Sequence, residues 1–159
     1  YRLMWRFDVL KFWLSIIMVL GLDQLSKLWV MNSLFVGESR PLIDHVLFLT
    51  YVHNPGAAFG MMAGRSWLFL ICAGLVMAVM IFYNTRYNLS GIVKIAMGLI
   101  VGGSMGNFID RVVFNSVRDF LDLGWWPVFN IADMGIVCGG ILLMGYIIIN
   151  EKNEEANGR

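Results

Sequence analysis

The chain has 159 residues, of which 58% are hydrophobic and only 14% charged, with a net charge of +1 and a mean hydropathy of +0.70. A soluble domain of this length carries about a quarter charged residues, interleaved with its apolar positions, so long apolar runs separated by short polar clusters exclude that class and point to one integral membrane domain over 1–159. The near-neutral balance also excludes a nucleic-acid binder, which needs a basic patch.

A bilayer core of about 30 Å takes about 20 helical residues to cross. The first run that qualifies is 10–31. It is too long for a cleavable apolar region and lacks an A-x-A-like site, so it reads as a retained anchor. Tyr1 in place of methionine leaves room for residues ahead of it. The segment 33–64 is polar by comparison, and within it "LFLTYVHN" alternates and is rich in aromatic and β-branched residues, which predicts a strand in a small sheet on the membrane. A second span follows at 67–83, then the short turn "NTRYNLSG", a third span at 92–113 and a fourth at 128–149. The link 114–127 reads as a short hydrophobic loop, and the tail 150–159, "NEKNEEANGR", as a solvated, frayed end. The expected fold is an all-α integral membrane protein: four transmembrane helices with a small extracytoplasmic β-rich segment between the first two. There is no internal repeat. Cys72 and Cys138 lie inside apolar runs and read as small hydrophobes, not as a disulfide.

Orientation follows from lysine and arginine near the helix ends, because loops rich in them stay in the cytoplasm. Arg2, Arg6, Lys11, Arg86, Lys94, Lys152 and Arg159 fall on one side, against Arg40, Arg65, Arg111 and Arg118 on the other. Both termini are therefore expected in the cytoplasm. The membrane-depth polar residues then all fall toward the outer face: Asp23 and Lys27 in the first span, Asn107, Asp110 and Arg111 in the third, Asn130 and Asp133 in the fourth. Asp23 and Lys27 form an acid-first i,i+4 pair. Charged groups at this depth face a bundle interior or a wet cavity, so convergence on one outer pocket is expected. Gly98, Gly102 and Gly106, with Gly135 and Gly139, supply the small faces for close helix packing.

Most of these features have plain structural explanations. Asp23 with Lys27 reads first as a mutually neutralising pair, His45 and His53 lack metal-site spacing, Trp125 and Trp126 fit an interfacial belt, and Asp122 is expected to face water. Asp119 and Asp133 are harder to explain so. The short link holds Asp119 near the start of the fourth helix, and Asp133 is expected about 6 to 9 Å below that helix's outer end at about 1.5 Å per residue. Two carboxyls in a poorly hydrated site cannot both ionise and tend to share a proton, as in an aspartic protease. An intramembrane acidic site also serves proton relays and ion pathways. A small proton-coupled carrier and a non-catalytic scaffold therefore stay open, although a carrier usually shows repeat symmetry and midplane sites.

The motifs "GLDQLSK" (21–27), "HNPGAAFG" (53–60), "GNFIDR" (106–111), "VRDF" (117–120) and "FNIAD" (129–133) resemble lipoprotein signal peptidase, the type II bacterial signal peptidase, in order and over nearly the whole chain. The resemblance implies a four-helix aspartic endopeptidase of the bacterial cytoplasmic membrane that removes signal peptides from diacylglyceryl-modified prolipoproteins, cutting before the lipidated cysteine. It puts the catalytic pair on Asp119 and Asp133, with Asn54, Asn107, Asp110, Arg111, Asn130, Asp23 and Lys27 in substrate-binding or supporting positions. It implies no cofactor and no metal. Prolipoproteins and membrane lipids are the expected partners, and a monomer the expected state. Arg118 departs from the family, which usually has an apolar residue before the aspartate, and is expected to turn toward the headgroups.

Overall fold

A computed structural model describes residues 2–56 and 65–157. The element order is α1 (Arg2–Ser33), β1 (Ser39–Ile43), β2 (Leu47–Asn54), α2 (Ser66–Arg86), α3 (Gly91–Phe114), β3 (Val117–Asp122) and α4 (Ile131–Asn157). Among the described residues, four helices are long and apolar enough to cross a membrane. Residues 57–60 of "HNPGAAFG", and the rest of the outer segment to 64, lie outside the described residues.

Helix α3 is the hub, packed against α1 and α4 and, less extensively, against α2. Its glycines explain how. A Cβ on Gly98 would lie 2.5 Å from the Phe12 carbonyl oxygen, and one on Gly102 would lie 2.9 Å from that of Ile16. Lipid tails are as apolar as leucine, so helices associate in a bilayer through such close contact and not through the hydrophobic effect. A core of Phe12, Ile16, Val93, Met97 and Val101 fills the half of this interface nearer the N-terminal end of α3. The outward-turned apolar side chains of α2 and α4, such as Leu75, Val79, Ile141 and Met144, remain exposed as lipid-facing surface.

The predicted strand at "LFLTYVHN" coincides with β2. It is the centre of a three-stranded antiparallel sheet of order β1-β2-β3. The third strand is a correction: the link between the last two helices is not simply a loop, because Val117–Asp122 pairs with β2, Val52 standing opposite Asp119. A β-rich signal was hidden there by a carboxylate at every third position. The sheet rests on the C-terminal end of α1 through Val30, Leu34, Leu49, Tyr51 and Phe120.

Three further expectations change. Helix α4 begins at Ile131, three residues later than expected, and continues to Asn157 through most of the tail read as frayed. Lys94, expected beside the turn between α2 and α3, is fully buried. Asp122 is half-buried and accepts hydrogen bonds from Thr50 Oγ1 and the Gly124 backbone N–H, both at 2.7 Å, tying the sheet to the turn before the two tryptophans. The cysteines, Cys72 on α2 and Cys138 on α4, are free and exposed.

Candidate active site

Strand alternation decides which way β3 aims its side chains. Val117 and Asp119 face a cleft of about 440 Å³ between α2, α3 and α4. Arg118 and Phe120 face the opposite way, Phe120 into the apolar cluster under the sheet. The cleft is also lined by Asn54, Asn107, Arg111, Trp126 and Asp133. The segment after β3 returns alongside it, Phe129 N–H donating to the Leu121 carbonyl at 2.9 Å, and delivers the chain to the start of α4.

That start is a reciprocal cap. The Asp133 N–H donates to Asn130 Oδ1 at 2.9 Å, and the Asn130 N–H donates to Asp133 Oδ2 at 3.2 Å, satisfying backbone donors that a helix end leaves without partners. Asp23 Oδ1 takes a third, the Ala132 N–H, at 2.9 Å. Asp133 therefore sits in the first turn of α4, shallower than the depth expected from the sequence.

Each carboxylate of the cleft is held by asparagine amides. Asn54 Nδ2 donates to Asp119 Oδ2 at 3.0 Å and Asn130 Nδ2 to Asp119 Oδ1 at 2.6 Å. Asn107 Nδ2 donates to Asp133 Oδ1 at 2.7 Å. The Asn107 oxygen accepts from Asn130 Nδ2 at 3.0 Å and from Lys27 Nζ at 3.2 Å, so both aspartates belong to one network. Asn54 is fixed in turn by a tight bend in which its Oδ1 accepts the Gly56 N–H at 3.0 Å. Arg111 reaches across to the Gly56 carbonyl at 3.1 Å, with its guanidinium 4.8 Å from the Phe69 ring centre.

Asp119 is 2% exposed. Burial, and next the negative charge of Asp133, push its carboxyl up to about 7, well above the usual 3.8, despite the opposing hydrogen bonds from Asn54 and Asn130. A carboxyl poised there exchanges its proton near neutral pH, which suits acid–base chemistry.

Behind the cleft lies a chain of alternating charge. Lys27 bridges Asp23 at 2.8 Å and Asp110 at 3.3 Å, all three side chains fully buried. Arg118 closes the chain on Asp110 at 2.7 Å. Arg118 thus points inward, not to the headgroups, its guanidinium 4.4 Å over the Phe114 ring. The reason is strand parity: with Asp119 in the cleft, its neighbour must face α3, where Asp110 needs a cation. Gln24, quoted in "GLDQLSK" but given no role, joins this network by donating to Asp110 Oδ1 and accepting from Arg118 Nη2. Its signal was an amide next to Asp23 and three positions before Lys27, within the polar patch of a largely apolar span. His53 bonds to Tyr51 on its own strand and to Ser116 just before β3.

The family model described as signal peptidase (SPase) II matches residues 15–149. The lipoprotein signal peptidase of Syntrophomonas wolfei is 52% identical over 148 residues, covering 93% of this chain and 99% of that protein. That of Halothermothrix orenii is 44% identical over 140 residues, covering 88% and 97%. Among solved structures, a bacterial membrane enzyme determined by the in meso method at 2.3 Å resolution is similar with a TM-score of 0.79 at 32% identity, covering 92% of this chain and 90% of that one.

Proposed function

This chain belongs to the signal peptidase II family, the lipoprotein signal peptidases, and from that premise we propose that Asp119 and Asp133 hydrolyse the signal-peptide bond of a diacylglyceryl-modified prolipoprotein. The observation that carries the assignment is that two carboxylates from different elements, β3 and α4, line one cleft and are joined through Asn130 and Asn107.

In this reading Asp133 is the base. It sits in the first turn of a helix, where the dipole favours negative charge, and draws a proton from the attacking water. Asp119, in its protonated form, donates a hydrogen bond to the scissile carbonyl oxygen and passes its proton to it as water adds. The gem-diol that forms collapses as a proton passes to the departing amine. Asn54, Asn130 and Asn107 hold the two carboxyls in register, Arg111 places a fixed cation beside the developing charge, and Asp23, Lys27 and Asp110 brace the helices behind.

We place both termini in the cytoplasm and the cleft at the outer face. Arg118 is buried in the site and Arg111 lines the cleft, which leaves Arg40 and Arg65 as the outer-side cations against a larger set at the other side, even with Lys94 buried. A scissile bond presented where a lipidated cysteine leaves the bilayer meets the aspartates at that depth. We propose that it acts as a monomer.

The test is direct. Purified protein in detergent is given a diacylglyceryl-modified prolipoprotein and the released signal peptide is measured. Cleavage by the wild type, with none by Asp119→Asn or Asp133→Asn, is the expected result; cleavage that survives both substitutions overturns it.

A further inference from the structure

Among the described residues, Arg111 is the cation that lines the catalytic cleft, and it forms an ion pair with neither carboxylate there. Its guanidinium has only neutral partners: the Asn107 carbonyl at 3.4 Å, the Gly56 carbonyl at 3.1 Å and the face of Phe69, 4.8 Å from the ring centre. Lys27 and Arg118 behind the cleft differ, since each meets a carboxylate within 3.3 Å. Yet the charges of Asp133 and Asp119 both act on Arg111. A contact must therefore hold this cation off two nearby anions. We propose that Phe69 is a positioning residue of the peptidase, its ring parking the Arg111 guanidinium beside the dyad and keeping it from an ion pair with Asp119 or Asp133. This role rests on the peptidase reading above.

Two helix faces in register make the contact. Ser66 and Phe69 are three apart in the first turn of α2, and Arg111 and Asn115 are four apart at the end of α3, so each pair shares a face. Ser66 Oγ donates to the Asn115 carbonyl at 3.1 Å, which pins the start of α2 to the end of α3. One turn further along, Phe69 meets Arg111 within the roughly 6 Å over which a ring face attracts a guanidinium. The same face of α2 continues along the cleft as Cys72, Ala73 and Val76. Phe69 stands in the apolar run "SWLFL", where no sequence signal sets it apart from its neighbours.

A ring suits this position because it attracts a cation without neutralising it. A carboxylate in its place would cancel the charge. An aliphatic side chain would offer no attraction and would release the guanidinium to the nearest anions, which are the dyad. An ion pair there favours the ionised carboxyl, so Asp119 would lose the proton it passes to the scissile carbonyl. Parked against Phe69, Arg111 keeps its charge for the oxyanion that develops in the cleft.

Phe69→Leu keeps apolar bulk and loses the ring face, whereas Phe69→Tyr keeps both. With a diacylglyceryl-modified prolipoprotein in detergent, Phe69→Leu should lower kcat by at least about tenfold, part of the roughly 10²–10⁴ that acid–base catalysis contributes. It should also move the alkaline limb of the kcat/KM profile down in pH. The Asp119 carboxyl stands at about 7, and a carboxyl that gains a cation falls by about 1 to 3 units, so the limb should move by about one unit or more. Phe69→Tyr should bring both rate and limb back toward wild type. Added to Arg111→Gln, Phe69→Leu should change neither any further, because the charge it would release is gone. A rate loss with an unmoved limb, an equal loss in the Arg111→Gln background, or a wild-type rate in Phe69→Leu overturns the proposal. If Phe69→Leu does not accumulate, mono-, di- and trifluorophenylalanine are placed at position 69, keeping the shape while draining the negative ring face stepwise. A rate that falls with each fluorine supports the role, and a flat series overturns it. Failure of the wild type to cleave the precursor would instead overturn the peptidase reading, so the two failures are distinct.

Discussion

Arg118 and Asp110 form a two-pronged ion pair inside the protein, Nη2 to Oδ1 at 2.7 Å and Nε to Oδ2 at 3.2 Å, and the Arg118 backbone N–H adds a third bond to Asp110 Oδ2 at 2.9 Å. One residue further along the same strand, Asp119 faces the cleft. The pair therefore clamps β3 to α3 at the point where a carboxylate must be aimed.

Removing one partner of a buried pair leaves the other charge uncompensated, typically at about 3 to 5 kcal/mol. Arg118→Leu should be severely destabilised, and Arg118→Lys, which keeps the charge but loses the fork, less so. Replacing both partners, Asp110→Asn with Arg118→Leu, should cost less than the sum of the single changes. Melting temperatures in one detergent check this, and strict additivity would show that the two side chains are not coupled.

Asp119→Asn and Asp133→Asn keep shape and most hydrogen bonding but lose the exchangeable proton. Each should lower turnover by at least about a thousandfold, the scale seen when one catalytic group of a concerted set is removed, with the protein still folded. Asp119→Asn should also melt above wild type, because it removes a carboxyl that burial disfavours in its charged form. Asp110→Asn should lose stability at least as much as rate per folded molecule. An Asp110→Asn protein that is well folded and dead, beside an active Asp119→Asn, would refute the pair.

The position of Asp119 also fixes a pH dependence. Its carboxyl stands at about 7 in the folded protein against a usual 3.8. Between those values the folded state binds more protons than the unfolded one, so stability falls as pH rises from about 4 to about 7 and is flat on this account above and below. The difference in melting temperature between wild type and Asp119→Asn should thus widen by several degrees across that window, each pKa unit being about 1.36 kcal/mol. Activity that needs the protonated acid should decline above pH 7. A constant difference across the window would show that Asp119 keeps an ordinary pKa.

Asn130 joins two jobs that substitution can separate. Serine still caps a helix but is too short to reach Asp119, so Asn130→Ser should melt close to wild type with turnover lowered about tenfold or more, whereas Asn130→Ala should lose both, with a cap cost of about 0.5 to 2 kcal/mol. Equal activity in asparagine and serine proteins would remove the Asn130–Asp119 bond from the mechanism.

Two glycines give a packing contrast. A Cβ on Gly106 would lie 2.5 Å from Asp23 Oδ2, whereas one on Gly140 meets nothing within 4 Å. Gly106→Ala should separate α1 from α3 and lower both melting temperature and activity, and Gly140→Ala should be neutral or slightly stabilising. The measurement is thermal unfolding of both proteins in one detergent.

Composition by itself fixed the solvent of this protein. Twenty-residue apolar runs can satisfy their own backbone only as helices in a bilayer, and a charge placed there must face inward, so four spans and one convergent cluster of Asp23, Lys27, Asn107, Asp110, Asn130 and Asp133 followed from the chain alone. Alternation in "LFLTYVHN" marked β2 for the same local reason. The sequence could not show β3, because a strand is defined by its partner: Val117–Asp122 lies more than sixty positions from β2, and its polar residues hide the apolar face. Strand parity then sent Arg118 to Asp110 and Asp119 to the cleft, and the reciprocal cap of Asn130 with Asp133 set where α4 begins. Those are long-range pairings, decided only when the helices close around them.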